Sequence, residues 1–571
     1  MNRRGFVKLS GTAACFMPLA GIAAFQQERY QTPLAKPSWL LELIKINDDS
    51  VKSMTKYKLL DQTHRYFGGY MSDSAIPNPH STCSFINNAS AALYCPESSF
   101  YQSKSLLKEL EQALTALLKF QHEDGTIDLV DTNFHSTPDT AFMVKRMAQS
   151  YLFLKNSGTP GLDPVLALME SFLKRAGKAL IVGGIHTPNH RWVVSAALTK
   201  LNELFPNPQY LQRIDQWLAE HIDLDPDGQY TEKSTYGYSG VIDRVLITMA
   251  KGLNKPELYE AVRNNLKMMR YYLHPNGEVV TEASNRQDKG QIGNMENYYY
   301  PLRYMALKDN DGEFAAMCRI IQDAKIQSLY GSFSYLLEDS NLWKELPASK
   351  PLPTSYIKAF PYSGVVRFRR GAWDATLLSN NPGWFTFHKG NAVLQAMRVA
   401  TSFFGKGQFQ SAEIVQKGDV WIMNKKLEGP YFQPFEKQFI SPDGDLGKMP
   451  KSNRKQSEVQ YLETTIQFSE ANSGMQIDIE IKGTEGVPVT LELVFRKGGE
   501  LSGVDLLPNH PNSYLMKGIE ASYTVGNDSI HFGPGRLEHK NTQLRGSLPM
   551  MDAPSVYLTG FTPFQHKMII R

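Results

Sequence analysis

Cysteine is scarce in this chain, with four in 571 residues. Cys15 falls in an N-terminal segment of its own character, which leaves Cys83, Cys95 and Cys318. Three cysteines make no disulfide framework, although Cys83 and Cys95 could pair in an oxidising compartment. No cysteine pair has metal-ligand spacing with a histidine partner, so no metal site and no cofactor are expected. Charge of one sign is also missing. Lys and Arg total 61 against 57 Asp and Glu, a net +4, and nothing in that balance points to nucleic acid. Long apolar runs are absent after the N-terminus. None reaches the roughly 18 residues that a bilayer span needs, so no membrane insertion is expected. There is no GxSxG, no phosphate loop and no HExxH, which removes the commonest serine-hydrolase, nucleotide and zinc-protease signatures.

What is present begins with "MNRRGFVKLSGTAACFMPLAGIAAF". A basic start, an apolar run rich in small residues and a polar "QQERYQ" make residues 1–25 an export signal. Arg3 and Arg4 with Phe6 and Lys8 resemble a twin-arginine signal, with Asn2 where Ser or Thr is usual. Cys15 sits inside the apolar run and makes a poor lipid-attachment site. A periplasmic protein is the expectation.

The remainder has two periods. From about Leu106 to Ala324, segments such as "LLKELEQALTALLKF" and "AFMVKRMAQSYLFL" repeat apolar residues at three- and four-residue steps, as buried helices do. Helices joined by short turns, without strands between, predict a bundle or a ring of hairpins. One loop type recurs: "QHEDGTIDL" at Gln121, "DPDGQYTEK" at Asp225 and "HPNGEVVTE" at His274. That recurrence favours a ring whose loops converge on one face. "ELPASKPLPTS" then reads as a linker. Beyond it "MQIDIEIKG" and "VTLELVFRKGG" alternate apolar and polar residues, as antiparallel strands do. The predicted architecture is an (α/α) helical toroid over 26–345, a linker over 346–355 and an antiparallel β-sandwich over 356–571.

Polar chemistry gathers in a few patches. In "GGIHTPNHRWVVSAAL", Asn189, His190 and Arg191 stand where an apolar helix begins, with Trp192 turned to the core. "DGQYTEKSTYGYSG" carries Lys233, Tyr236 and Tyr238 ahead of another helix, and "EASNRQDKG" holds Arg286. "DTNFHSTPDTAF" places Asn133 and His135 before a helix that Ser136 or Asp139 would cap. "WFTFHKGNA" puts His388 at a strand end.

In layout and in these patches the chain resembles the polysaccharide lyases built on an (α/α) toroid with an antiparallel β-domain: the heparinase-like, oligoalginate and chondroitin lyases. Asn189-His190 looks like the Asn-His pair of the first two groups. Tyr236 or Tyr238 would be their catalytic tyrosine and Arg286 a substrate-binding arginine. Lys233 stands where the chondroitin-type pattern has a histidine, so that form of base is absent. "NFHSTPDT" with "NRQDKG" resembles polysaccharide lyase family 27, which implies a rhamnose–glucuronate linkage of plant arabinogalactan as substrate.

The residue types suit such chemistry without the family. The proton at C5 of a uronate is removable near neutral pH only if the carboxylate beside it is neutralised, so that charge can develop there. Asn189 with His190 or Arg191 would do this. Tyr236 or Tyr238 would move protons, with His135 an alternative base. Asn133, Arg191, Lys233, Arg286 and His388 would bind substrate. Asp223, Asp225, Asp227 and Gly228 imitate the start of a calcium loop, but Ser234 stands where its closing glutamate belongs, so the signal for structural calcium is incomplete. The expected activity is β-elimination at a uronic acid in an oligo- or polysaccharide. Two rivals are a glycoside hydrolase on the same toroid, using two of the 57 acids, and a non-catalytic glycan-binding protein.

Overall fold

The computed structural model describes residues 35–571, so the export segment and Cys15 lie outside the described residues. Twelve helices fill the first part of that range. They are α1 (Ser38–Met54), α2 (Pro79–Tyr94), α3 (Lys104–Phe120), α4 (Thr137–Lys155), α5 (Asp163–Val182), α6 (His190–Leu204), α7 (Pro208–Leu218), α8 (Tyr238–Gly252), α9 (Leu258–Met269), α10 (Tyr299–Asp309), α11 (Gly312–Ala324) and α12 (Phe333–Glu338). Their burial alternates along the chain. α3, α5 and α7 bury one stripe, as amphipathic helices on the outside of a core do. α4, α6 and α8 are buried round most of their circumference. The inner helices pack in sequence, α2 on α4, α4 on α6, α6 on α8 and α8 on α10, and residues 326–338 return to α1 and α4. This is a ring of helical hairpins.

The recurring loop has one geometry in every copy. In each, the first residue's N–H bonds to the carbonyl four residues on, and the fourth residue's N–H bonds back to the first: His122–Thr126, Asp225–Gln229 and His274–Glu278. The fourth residue is Gly125, Gly228 or Gly277, each with positive φ. At two of them space also excludes a side chain: an added Cβ would lie 2.2 Å from the Arg175 carbonyl oxygen at Gly125, and 2.6 Å from that of Asn264 at Gly228. Ser72–Ile76 is a further copy that the sequence conceals, because Ala75 takes the left-handed position.

Two expectations fail here. The helical half contains a hairpin, β1 (Ile127–Leu129) with β2 (Asn133–Ser136), because the chain leaves the Gly125 turn extended and doubles back before α4. Cys83 and Cys95 cannot pair. They lie on α2 and at its C-cap, 12 residues apart, about 18 Å of helical rise, far beyond the Cα separation that a disulfide spans.

The last helical turn before the sheets is Ser340–Trp343, and the sheets begin with β3 (Ser355–Phe360). β4 (Val365–Arg370), β5 (Trp373–Leu378), β6 (Phe385–Lys389) and β7 (Ala392–Thr401) follow as antiparallel neighbours in a nine-stranded sheet. An eight-stranded sheet built round Val420–Phe432, Gln456–Ala471 and Gly474–Gly483 faces it. The strand period of two puts Ile477, Ile479 and Ile481 in the core with Trp384, Phe468 and Leu491, and leaves Asp478 and Glu480 outside it. One pairing, between Ser513–Leu515 and Ser555–Phe561, is parallel.

The sandwich docks on the toroid's loops through charge. Arg496 makes a bidentate pair with Glu278 at 2.9 and 3.0 Å. The Ser363 N–H donates to Asp227 at 2.8 Å. Deeper in, Arg367 and Asp374 are fully buried and bidentate at 3.1 Å, and His274 reaches the same carboxylate at 2.9 Å.

Candidate active site

The inner helices begin on the loop side of the ring, and four of their N-termini bring polar side chains together. On α4, Ser136 caps the helix, accepting from the Asp139 N–H at 3.3 Å and donating to its carboxylate at 2.5 Å. That carboxylate also accepts from Asn133 Nδ2 at 3.2 Å and lies 3.9 Å from His80 Nε2 at the start of α2. One turn along α4, the Phe142 ring meets the edge of His190, with centroids 6.4 Å apart.

Around His190 the local structure fixes a tautomer. Thr187 Oγ1 donates to Asn189 Oδ1 at 2.8 Å and lies 3.0 Å from His190 Nδ1. A hydroxyl has one proton. With that proton given to the amide oxygen, Nδ1–H must be the donor in the second contact, and Nε2 keeps its lone pair. Burial, helped by His186 and Arg286 and opposed by Asp139, lowers the imidazole pKa to about 4. His190 is therefore neutral at neutral pH, a base and not the imidazolium that the sequence allowed.

Asn189 is 1% exposed, and its Nδ2 is buried without a hydrogen-bond partner among the described residues. A buried donor left unmade costs about 1–3 kcal/mol, so an acceptor from outside the chain is the natural complement. The Asn189 N–H donates to Glu232 Oε1 at 3.3 Å, and Glu232 Oε2 holds Arg286 Nε at 3.3 Å. Arg286 in turn lies over the Tyr238 ring, 5.1 Å from its centroid. Its Nη groups meet no acceptor among the described residues. Asn189, His190, Glu232, Arg286 and Tyr238 thus form one contiguous group.

The other candidates are placed elsewhere. Arg191 is fully engaged by Glu220 at 3.1 Å, Asp223 at 2.9 Å and the Pro188 carbonyl, and lies over Trp192. It braces α6 and has no free edge for a substrate carboxylate. Tyr236 packs its ring against the Gly293 backbone, where an added Cβ would lie 2.3 Å from it, and Asp288 and Asn297 hold its main chain. His135, left-handed at φ 49°, pairs with Asp124 at 2.7 Å and stacks on His122. Lys233 donates to the Tyr362 and Ser363 carbonyls of the β3–β4 turn. His388 is buried between the domains and stacks on His274 with centroids 3.6 Å apart.

Among the described residues, His274, Glu282 and His388 form a group with metal-ligand spacing, their donor atoms within 4.8 Å of one another. The network balances its own charge. Burial disfavours a charged His274, but Asp374 and Glu282 outweigh it and hold the pKa at about 9. Protonated His274 and Arg367 then face two carboxylates, while burial and the charge on His274 keep His388 neutral, with a pKa of about 3. Glu282 also accepts from Thr376 and Thr386 of β5 and β6, which ties the loop carrying Arg286 to the sandwich. The three acids of the calcium-like stretch have separate protein partners: Asp223 takes Arg191 and Trp192, Asp225 caps its own turn, and Asp227 takes Ser363.

Sequence reasoning missed His80 and Glu232. "NPHST" at Asn78 has the same amide, proline and histidine as "TPNHR" at Thr187, and that likeness was the available signal for His80. Nothing local marks Glu232.

No protein-family model matches the sequence, and no curated protein sequence matches it. Solved structures do. Heparinase III superposes with a TM-score of 0.58 at 11% identity, over 95% of this chain and 87% of that one. A xanthan lyase from Paenibacillus gives 0.57 at 10%, over 93% of this chain and 57% of that one. The chondroitin AC lyase of Streptomyces coelicolor A3, solved with chondroitin sulphate, gives 0.52 at 12%, over 94% and 79%. At such identities the likeness is one of fold, and it is nearly chain-long: this protein has the (α/α)-toroid and β-sandwich fold of these polysaccharide lyases.

Proposed function

We propose that the protein is a polysaccharide lyase that cleaves at a uronic acid by β-elimination. The observation that carries this reading is the buried, unpartnered Asn189 Nδ2 beside a neutral His190 and a cation, Arg286. An amide N–H and a guanidinium together suit a carboxylate, and they stabilise it most when C5 is losing its proton and charge builds on its oxygens. His190 Nε2 takes the C5 proton. The C4–O bond breaks as the C4–C5 double bond forms, and the Tyr238 hydroxyl protonates the leaving oxygen. The fold shared with heparinase III and the chondroitin lyase agrees with this chemistry.

The test is incubation with uronate-bearing glycans, following the ultraviolet absorbance of the unsaturated product. Arabinogalactan with terminal rhamnose–glucuronate belongs on that panel, because the patches around Phe134 and Arg286 resemble the family that cleaves it. Sugar released without the unsaturated ring would mean hydrolysis and overturn the reading.

The pH profile follows from the histidine. With its pKa near 4, His190 stays unprotonated through the weakly acidic range, and activity falls only as the pH drops through about 4. An acidic limb near the ordinary histidine value of 6.5, with the His190 ring titrating over the same range by NMR, would show a solvated imidazole and contradict the geometry.

A further inference from the structure

The centre of the ring holds a cavity of about 370 Å³, within the range of small-ligand pockets, about 300–1,000 Å³. Lys145, Arg146 and Arg244 line it together with Asn87, Gln149 and Tyr335, and no carboxylate does. Lys145 is buried to 9% exposure. The nearest acids do not compensate. Asp243, beside Arg244, accepts from the Tyr230 hydroxyl and makes no ion pair with Arg244 among the described residues, and burial pushes its pKa up. Glu338 is matched by Lys200 at 2.5 Å and takes Gln149 at 2.7 Å. Arg146 is exposed and Arg244 half-buried, so the burial falls mainly on Lys145, and sheltering a cation without an opposite charge is costly unless a ligand brings one.

The cavity adjoins the proposed catalytic group. Phe142 lines it and touches His190. Val241, also in its wall, lies one turn of α8 beyond Tyr238, a step of about 5 Å that suits the neighbouring unit of a glycan chain.

We propose that this cavity binds a second anionic group of the substrate, a sulfate or carboxylate on the sugar adjoining the scissile uronate. The inference rests on the uronate-lyase reading, though not on the arabinogalactan substrate, whose rhamnose is neutral. The preferred substrate class is then a polyanionic glycan with charges on successive sugars. The field in the cavity agrees: burial alone would raise the Tyr335 phenol, but Lys145 and Arg244 bring it below its ordinary pKa.

The experiment compares the full-length protein with Lys145→Gln and Arg244→Gln. The probes are chondroitin sulfate tetrasaccharides, their desulfated counterparts and inorganic sulfate alone, with binding measured by calorimetry and turnover by absorbance. The wild type should bind the sulfated chain about 10-fold or more tightly than the desulfated one, the worth of a charge-assisted bond. Both variants should lose that preference through KM, with kcat nearly kept. The ligand-free Tm of Lys145→Gln should not fall, because no ion pair is broken, and Arg244→Lys should keep the preference and guard against misfolding. Equal affinity of the wild type for both chains overturns the proposal. So does saturation by inorganic sulfate that no glycan displaces. Selective binding that the variants lose, with no unsaturated product from any glycan, upholds the cavity and refutes the lyase reading.

Discussion

Asn189→Ala is expected to lower kcat by about 10²- to 10³-fold, the usual cost of removing one donor from a site where charge develops. The magnitude follows from position. Nδ2 is buried and aimed at no protein acceptor, so its bond forms only with ligand and strengthens as the carboxylate gains charge. The variant also frees the Thr187 hydroxyl, whose proton can then turn to His190 Nδ1. That would place the imidazole proton on Nε2 and remove the base. Asn189→Ala should therefore lose more than Arg286→Ala, which mainly raises KM, and stability should change by no more than about 1 kcal/mol. The tyrosines separate on the same assay. Tyr238→Phe should abolish nearly all turnover with substrate affinity kept, whereas Tyr236→Phe, which alters a ring packed on Gly293, should stay near wild type. Normal turnover in both Asn189→Ala and Tyr238→Phe would remove this group from the chemistry and return attention to His80 and Asp139.

The largest stability effect should come from Asp374→Asn. This carboxylate is fully buried and neutralises both Arg367 and His274. Without it two cations share only Glu282, and breaking a buried pair from one side costs about 3–5 kcal/mol. Chemical denaturation should show the loss as an early transition of the contact between toroid and sandwich, and because the chain has two cores it should be followed by more than one probe. Removing both partners with Arg367→Met and Asp374→Leu should recover part of the loss, since a buried pair can be replaced by apolar groups at little cost. The single variant should also raise KM, because the Arg286 loop is moored to the same network through Glu282. A single variant within about 1 kcal/mol of wild type would show that the network is wetter than its burial implies.

Much of the protein was legible in its amino-acid order. Periods of 3.6 and 2 are local consequences of how a helix or strand presents its faces, so the helical half and the sheet half could be separated by pattern alone. The recurring glycine turn was visible at Gly125, Gly228 and Gly277 because a left-handed backbone leaves its mark in the residue that tolerates it. The copy at Ala75 was hidden for the same reason, since alanine carries no such mark. Asn189 and His190 stand out because they interrupt the start of an apolar helix, whereas Tyr238 and Arg286 are marked by the resemblance to the toroid lyases.

The use each group makes of its polar atoms was decided only by the tertiary structure. Arg191 and Arg286 are the same residue in similar polar surroundings, yet one is enclosed by Glu220 and Asp223 and the other keeps two nitrogens open. His190 and His274 differ by about five pH units, at about 4 and about 9, because one is buried near cations and the other between two carboxylates, one of them 100 residues further along the chain. Hydrogen bonds and charges act over a few ångströms of space, whatever the separation in sequence. Helix and strand patterns could therefore be read residue by residue, whereas the pairing of charges, the neutral histidine and the cationic cavity exist only where the ring closes.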